Sequence, residues 1–189
     1  IAEAVAAFLA PKLRNGARVL ITAGPTFEPI DAVRGITNRS SGKMGYAVAR
    51  AAVEAGAEVT LISGPVNLPA PAGAKIAHVD TAAQMFEAVK RHVAHADIYV
   101  GVAAVADYRV EKPRQHKIKK TDEAQLQLKL VPNPDILGWV AVRPKPPFCV
   151  GFAAESRNLD AYADQKRRRK NVQLMVANLA QDAIGADDN

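Results

Sequence analysis

The chain has 189 residues, 49% of them hydrophobic, which suffices for one well-packed domain, and no apolar run approaches the roughly 20 residues that a membrane span needs. Its single cysteine excludes an internal disulfide framework and is compatible with a reducing compartment. The net charge of +6 suits either nucleic acid or small polyanions. An aromatic content of 5% favours the small anions, because single-strand binders stack bases on aromatic side chains.

Helical and strand periodicities alternate along the chain. In chain order, the pattern predicts a helix over 3–14, a strand over 18–22, a helix over 42–56, strands over 58–62 and 76–79, a helix over 81–95, strands over 97–103 and 125–130, a helix over 134–142, a strand over 147–152, a helix over 159–170 and a strand over 172–177. Thr81 is the expected N-cap of its helix. This alternation predicts a three-layer α/β fold of the Rossmann-like kind, with an open, mostly parallel sheet and helices on both faces.

Three features stand apart from the alternating pattern. Residues 25–41 are polar and carry Pro, Gly and Ser, so they are predicted to form a long loop, and such loops in compact domains are usually functional. Residues 109–122 are basic and irregular, and they are the candidate for a loop that closes over substrate. Cys149 has apolar neighbours, which favours a buried strand thiol over a nucleophile.

The first candidate site is the entry to the helix over 42–56, at residues 38–45. The N-terminus of a helix presents free N–H groups to anions, and ligands of open α/β sheets bind beyond the carboxyl ends of strands. Ser40 can donate a hydroxyl, and Gly42 and Gly45 leave room for a phosphate. The alternative is a capped helix start whose glycines serve packing alone.

The second candidate site follows the strand over 97–103. Small residues there let a ligand lie close to the backbone, and Asp107 can hold a ribose, a base edge or a metal-bridged phosphate. A lysine from the run at 117–120 can offset the charge that develops as pyrophosphate leaves, although most such runs are solvated loops. Lys166 and Lys170 lie one helical turn apart, where they either clamp phosphate oxygens or face water.

Two rival functions deserve comparison. Gly42 and Gly45 lead into an alanine-rich helix, which also suggests a dinucleotide-binding dehydrogenase. However, a long loop separates these glycines from the preceding strand, no acidic residue for a ribose follows the strand over 58–62, and no Tyr-x-x-x-Lys pair lies downstream of a strand. The second rival is a nucleic-acid-binding module that uses the basic loops, which would show steeply salt-dependent binding.

Five segments, in this order, resemble the family of phosphopantothenoylcysteine synthetases. They are ITAGPTFEPIDAVRGITNRSSGKMG at 21–45, GVAAVADYR at 101–109, KIKK at 117–120, NPDI at 133–136 and VGFAAE at 150–155. Several long motifs in one order are far more specific than an isolated glycine pattern. The resemblance spans residues 15–180 and implies a step of coenzyme A biosynthesis in which 4′-phosphopantothenate is joined to L-cysteine.

The resemblance implies a two-step ligase reaction. The carboxylate of phosphopantothenate attacks the α-phosphate of CTP to give an acyl-cytidylate and pyrophosphate, and the amine of cysteine then displaces CMP. The KIKK and NPDI segments favour CTP over ATP. A divalent ion, Mg²⁺ or a similar one, is implied with the triphosphate, whereas its ligands remain open.

The resemblance also assigns roles to individual residues. Asn38 matches the catalytic asparagine that contacts the acyl-nucleotide and the substrate, Lys117 matches the lysine required to form that intermediate, and Arg34 matches an arginine near phosphopantothenate. The implied nucleotide contacts are Gly24, Ser40, Gly42, Gly45, Gly101, Val102, Ala103, Asp107, Lys117, Pro134, Asp135, Ile136, Leu137, Phe152, Lys166 and Lys170. The loops of Asn38 and Lys117 are expected to converge on one nucleotide phosphate, from one subunit or from two.

The expected context is that of a single synthetase domain over 1–189, forming the C-terminal part of a longer bifunctional chain. In relatives of this kind a flavin-containing decarboxylase precedes the domain, so FMN belongs to that half and not to this chain. The implied partners are the three substrates and a second copy in a homodimer, with a larger assembly when the decarboxylase is fused. Neither nucleic acid nor a membrane is an expected partner, and the expected location is the cytoplasm.

Overall fold

A computed structural model describes residues 11–120, 125–155 and 159–179. The described strands are β1 (Arg18–Ala23), β2 (Phe27–Pro29), β3 (Gly35–Thr37), β4 (Glu58–Ser63), β5 (Lys75–His78), β6 (Ile98–Gly101), β7 (Tyr108–Val110), β8 (Leu130–Pro132), β9 (Phe148–Glu155) and β10 (Leu174–Leu179). The described α-helices are α1 (Lys43–Glu54), α2 (Ala82–His92), α3 (Ile136–Ala141) and α4 (Leu159–Lys170), and a short 3₁₀ turn (Val93–His95) extends α2. Within these ranges no helix is long and apolar enough to cross a membrane.

Six strands form one parallel sheet in the order β10-β9-β6-β1-β4-β5. From β1 the chain proceeds outward through β4 to β5, then returns to the other side of β1 and proceeds through β6 and β9 to β10. The strand order therefore reverses between β1 and β6, which is the switch point of a doubly wound sheet. The predicted α/β fold is confirmed.

The central strand β1 shows why both faces of the sheet carry helices. Leu20 belongs to an apolar cluster that includes residues of α2 and α3, whereas Val19 and Ile21 belong to a second cluster that includes residues of α1. Successive side chains of a strand point to opposite faces, so a nearly continuous apolar run such as β1 requires a covering layer on each side. Helix α4 contacts β9 and β10.

Helix α2 begins where the sequence predicted. The Thr81 hydroxyl accepts from the Gln84 amide at 3.1 Å, and the Gln84 side chain accepts from the Thr81 amide at 3.1 Å, which completes a capping box. The buried carboxylate of Glu28 also accepts from the Ala82 amide at 2.8 Å. Strand β2 is thereby attached to the first turn of α2.

The segment over 25–41, predicted to be a loop, contains a short β-hairpin. Strands β2 and β3 pair antiparallel within it, and the ring of Phe27 lies against Gly35, where a Cβ would come 2.3 Å from the Phe27 Cζ. Only glycine leaves room for that ring. The hairpin escaped prediction because three-residue strands carry too little periodicity to be recognised.

Two further predictions differ from the structure. The strand predicted over 125–130 is wrong except at its last residue, because Leu126 and Leu128 have no partner strand within the described ranges and are exposed. The ladder is formed by β7 and β8 instead. For the helix predicted over 3–14, residues 3–10 lie outside the described part. Residues 11–14 are not helical, and Leu13 is 80% exposed.

Candidate functional site

A cleft of about 650 Å³ opens beyond the carboxyl ends of the central strands. It lies at the switch point between β1 and β6, the position where open α/β sheets bind their ligands. Its walls come from the turn after β1, the segment over 38–45, the end of β6 with residues 102–107, the entry to α3, the strands β9 and β10, and the inner side of α4.

The cleft gathers residues that are far apart in the sequence. It is lined by the predicted catalytic Asn38 and by all the predicted nucleotide contacts except Lys117: Gly24, Ser40, Gly42, Gly45, Gly101, Val102, Ala103, Asp107, Pro134, Asp135, Ile136, Leu137, Phe152, Lys166 and Lys170. Residues of both candidate segments thus face one space. Neither Arg34 nor Lys117 lines it.

The N-terminus of α1 opens into this cleft. Gly42, at φ 80°, is its N-cap and provides no side-chain cap, and the first turn holds no acidic residue. The Ser40 hydroxyl accepts from the Gly42 amide at 3.3 Å, and the Ser41 hydroxyl accepts from the Lys43 amide at 3.4 Å. The start of this helix is therefore polarised to receive an anion.

The glycines at this entry also have a packing role. A Cβ on Gly45 would lie 2.4 Å from the Cβ of Ala23, and a Cβ on Gly42 would lie 2.6 Å from Cγ1 of Val66. Because protein atoms fill these spaces, Gly45 allows α1 to approach β1 closely. The glycines therefore line the cleft and permit the packing that forms it, whereas the room that they leave for a phosphate stays a prediction.

Asn38 is fixed by a frame of hydrogen bonds that joins three loops. Its Nδ2 donates to the Ala104 carbonyl at 2.8 Å. The Thr37 hydroxyl donates to the Thr26 carbonyl at 2.8 Å, and the Thr26 hydroxyl accepts from the Ala106 amide at 3.0 Å. No donor within the described ranges reaches Oδ1 of Asn38, so this oxygen is available to a ligand.

A second frame holds the segment that carries Asp107. The Asn133 amide donates to the Asp107 carbonyl at 2.8 Å, and Nδ2 of Asn133 donates to the Ala106 carbonyl at 2.8 Å. Arg109 donates to Oδ1 of Asn133 at 3.3 Å. The Asp107 carboxylate is exposed and has no ion-pair partner among the described residues.

The entry to α3 forms the opposite wall. Gly101 and Gly151 lie side by side in the sheet, and Leu137 occupies the space above them, so that a Cβ on Gly151 would come 2.7 Å from Leu137 Cδ2. Asp135 caps α3 by accepting from the Gly138 amide at 3.0 Å and forms an ion pair with Lys170. A phosphate that binds Lys170 must therefore compete with this carboxylate.

Arg34 and Lys117 lie together, but away from the cleft of their own chain. Arg34 donates to Asp31, and its Nη2 donates to the Ile118 carbonyl at 2.8 Å. Lys117 is exposed and has no protein partner among the described residues. The expected convergence of the Asn38 and Lys117 loops on one phosphate does not occur within a single chain, because the Lys117 segment is attached to the 30–34 turn.

Comparison with known proteins identifies the family. The family model described as "DNA/pantothenate metabolism flavoprotein C-terminal domain" matches residues 14–189. The chain belongs to this family. The resemblance drawn from the motifs is thereby confirmed.

Relatives and solved structures agree with this flavoprotein C-terminal domain family. The coenzyme A biosynthesis bifunctional protein CoaBC of Vibrio parahaemolyticus is 50% identical over 173 residues, which cover 90% of this chain and 43% of that protein. The crystal structure of the C-terminal domain of CoaBC is 41% identical with a TM-score of 0.77, covering 87% of this chain and 78% of that one. Cab2 mutant H337A, determined with phosphopantothenate-cysteine, shares the fold at 21% identity and a TM-score of 0.76, covering 96% and 78%. The chain spans a little under half the length of the curated relatives it matches.

Two titratable groups of this family member are buried and have raised pKa values. Tyr99 is fully buried against Thr22 at the floor of the cleft, and burial raises the pKa of its phenol, which stays neutral. Burial also raises the pKa of the Cys149 thiol to about 11, and its Sγ donates to the Pro147 carbonyl. The prediction of a buried strand thiol is confirmed.

The sequence reasoning missed several polar residues of the cleft. They are Thr22, Tyr99 and Asn178, whereas the lining residues Arg39, Ser41 and Lys43 of the predicted segment 38–45 and Asn133 of the NPDI motif were given no role of their own. Asn178 near the end of β10 is the clearest case, with its amide 3.9 Å from the Met44 sulfur. A lone polar residue inside an apolar strand was the available signal.

The cleft carboxylates suit a metal carried by a nucleotide better than a resident ion. The described residues contain no group of three or more His, Cys, Asp or Glu that could hold a metal. Among the described lining residues, Asp135 is already paired with Lys170, which leaves Asp107 as the open carboxylate. Mg²⁺ binds through substrate phosphates and one or two carboxylates, so Asp107 fits that donor set.

Proposed function

We propose that this chain is the phosphopantothenate–cysteine ligase domain of coenzyme A biosynthesis and that it uses CTP to activate 4′-phosphopantothenate. The observation that carries this proposal is the single cleft at the switch point, in which Asn38, the N-terminus of α1 and the Asp107 segment face one another. Relatives of this chain bear the name coenzyme A biosynthesis bifunctional protein, and they supply the chemical context.

In the first step, a carboxylate oxygen of phosphopantothenate attacks the α-phosphorus of CTP. The bond from that phosphorus to the bridging oxygen breaks, and pyrophosphate leaves with the electron pair. The N-terminus of α1 binds the triphosphate through backbone N–H groups, with the Ser40 hydroxyl beside it. Lys166 and Lys170 hold phosphate oxygens, and Asp107 takes the ribose, the base edge or Mg²⁺, which supplies charge neutralisation when bound.

In the second step, the amine of cysteine attacks the acyl carbon of the cytidylate. The bond from this carbon to the phosphate oxygen breaks, CMP leaves with the electrons, and the proton that the amine loses passes to the departing phosphate. Asn38 donates to the mixed anhydride and accepts from the incoming amine, because an amide has both capacities. Its attachment to Ala104 sets the side chain in position before the substrate arrives.

Arg34 and Lys117 act in the cleft of a second copy of the chain. Neither residue lines its own cleft, although the family assigns both to the reaction. Large apolar side chains lie exposed on β7, on β8 and the residues before it, and in the 30–34 turn, as expected of a surface that a second copy covers. They are Val33, Tyr108, Leu126, Leu128 and Leu130. The functional unit is then a homodimer, within a longer bifunctional protein whose other half is an FMN-dependent decarboxylase.

The test is pyrophosphate release from CTP, with phosphopantothenate present and cysteine absent. We expect release with CTP, poor release with ATP, and loss of release in Lys117→Gln with CTP binding retained. Mixing Lys117→Gln with Asn38→Asp should restore part of the overall ligase activity, measured with cysteine present, because each mixed dimer then contains one intact shared site. Tight NAD(P) binding, or nucleic-acid binding that falls steeply with salt, would instead support a rival.

A further inference from the structure

The turn over 30–34 contains a buried carboxylate on which many donors converge. Asp31 is 3% exposed, and its Oδ1 accepts from the amides of Val33 at 2.8 Å and Arg34 at 2.9 Å. Its Oδ2 accepts from Arg34 Nε at 3.1 Å, from Arg34 Nη2 at 2.5 Å and from the Ile118 amide at 3.0 Å. The Asp31 side chain thus bonds to Arg34 and to the segment that contains Lys117, the two residues that the family resemblance links to the reaction.

The Lys117 segment is attached to this turn at two points. The Arg114 amide donates to the Ile30 carbonyl at 2.9 Å, and the Ile118 amide donates to Asp31. Residues 115–117 between these points form an exposed arch, with Lys117 directly before the second attachment. A displacement of Ile118 therefore moves Lys117.

The same carboxylate orients the guanidinium of Arg34. Nε and Nη2 are used by Asp31 and by the Ile118 carbonyl, whereas the structure gives Nη1 no partner within the described ranges. The side chain is 45% exposed. Arg34 is consequently a fixed cation with an open pair of donors, an arrangement that suits recognition of an anion.

Electrostatics give Asp31 a role that packing alone would not. The segment over 112–120 carries five Lys or Arg side chains besides His116, and Arg34 lies against it. Within the described ranges, Asp31 is the carboxylate bonded to both Arg34 and this segment. Without its charge, the cations would repel one another and the arch would lose the charge-assisted hydrogen bond at its second attachment.

We propose that Asp31 is a positioning residue of the ligase, which sets Arg34 and Lys117 in register as one unit for anionic substrate groups. This inference rests on the proposed function. It predicts that removing the charge of Asp31 impairs binding of phosphopantothenate and formation of the acyl-cytidylate, whereas binding of CTP to the cleft persists.

The test compares Asp31→Asn with Asp97→Asn in the full chain. Asp97 is the matched control, because it also accepts from one arginine side chain and from a backbone amide, but it lies at the amino-terminal edge of the sheet. Asp31→Glu is the second variant, which keeps the charge if Asp31→Asn folds poorly. Four quantities are measured: KM for phosphopantothenate, the rate of pyrophosphate release, Kd for CTP, and hydrogen exchange over 114–118.

We expect Asp31→Asn to raise the KM for phosphopantothenate and to slow pyrophosphate release, each by about tenfold or more, since a hydrogen bond to a charged group contributes on this scale. The Kd for CTP should change less than about twofold, and exchange over 114–118 should rise. Asp97→Asn should leave all four unchanged. In an Arg34→Gln background, Asp31→Asn should raise this KM by much less, because the two residues act as a unit.

Unchanged kinetics in Asp31→Asn would overturn the inference. So would a loss of CTP binding that parallels a fall in Tm, since that result indicates a general structural role. If the wild-type chain releases no pyrophosphate, the proposed function fails. Unchanged exchange over 114–118 in Asp31→Asn, by contrast, rejects the positioning role whatever the activity.

Discussion

The Thr26 hydroxyl accepts a 3.0 Å hydrogen bond from the amide of Ala106, which lies 80 residues further along the chain. Thr26 is fully buried, and its carbonyl also accepts from the Thr37 hydroxyl. Thr26 thereby joins the turn after β1 to the segment after β6 through its side chain, and to Thr37, the neighbour of Asn38, through its carbonyl. The shape of the cleft depends on this junction.

Replacing Thr26 by Val should destabilise the chain although the side-chain volume is nearly unchanged. The buried Ala106 amide loses its acceptor, which costs about 1–3 kcal/mol in the free energy of unfolding. Urea unfolding measures the change. Thr26→Ser keeps the hydroxyl and is the control, and equal stability of the two variants would refute the role of this hydrogen bond.

Replacing Asn38 by Asp should block the second step of the proposed reaction more than the first. An aspartate cannot donate to the Ala104 carbonyl, and two oxygens in its place repel each other, so the side chain leaves its position. We expect amide formation to fall by about 100-fold, the order expected for loss of one positioned donor, while the acyl-cytidylate accumulates in a single turnover. The exposed Asn67→Asp is the control, and uniform slowing of both steps would contradict the assignment.

Replacing Gly45 by Ala should cost about 1–3 kcal/mol of stability, the usual penalty of overpacking, because the new methyl group lies 2.4 Å from the Cβ of Ala23. Gly16 offers a control with open space around it, although its φ of 77° strains an alanine. Thermal unfolding of the two variants, with the Kd for CTP measured on the same samples, separates the cost of overpacking at Gly45 from the cost of a positive φ at Gly16. A neutral Gly45→Ala would show that α1 can move away from β1.

The ion pair between Arg18 and Asp97 should make stability depend on pH in the acid range. The Arg18 guanidinium and then its amide hold the pKa of Asp97 at about 2, below the usual value of about 3.9 for an unfolded chain. A lowered folded-state pKa contributes stability that is present above the unfolded value and is lost as the pH falls toward the folded value. The difference in unfolding free energy between wild type and Asp97→Asn should therefore be constant above about pH 4–5 and shrink toward pH 2. A constant difference over the whole range would disprove the lowered pKa.

Much of the fold could be predicted because its long elements carry periodic patterns. The apolar runs of β1 and β4 and the capping residues of α2 are local signals, and they specified the strand–helix alternation of a doubly wound sheet. The antiparallel strand pairs β2–β3 and β7–β8 could not be predicted in this way. Their three-residue strands depend on distant partners, such as the contact of Phe27 with Gly35.

The cleft was predictable to the extent that its residues occur in contiguous motifs. The segments around Asn38 and Asp107 come after β1 and β6, two adjacent parallel strands whose carboxyl ends lie at the same edge of the sheet. The convergence of these segments therefore follows from topology. The ion pair between Asp135 and Lys170 could not be foreseen, since no local pattern marks it, and Asn178 was marked only by being a polar residue in an apolar strand. The position of Lys117 depends on the hydrogen bond from the amide of the next residue, Ile118, to Asp31. These two residues are 87 positions apart in the sequence, and such pairings are set by tertiary structure.

The arch over 115–117 is secured largely through main-chain atoms: the Arg114 amide at one end and the amide and carbonyl of Ile118 at the other. Main-chain contacts do not depend on which side chains stand between them. Evolution can therefore exchange Gln115 and His116, which precede Lys117 at the crest of the arch, and with them the charge presented to a partner, without rebuilding the scaffold beneath. The selectivity among acidic substrates can therefore change through these residues while the turn over 30–34 stays the same.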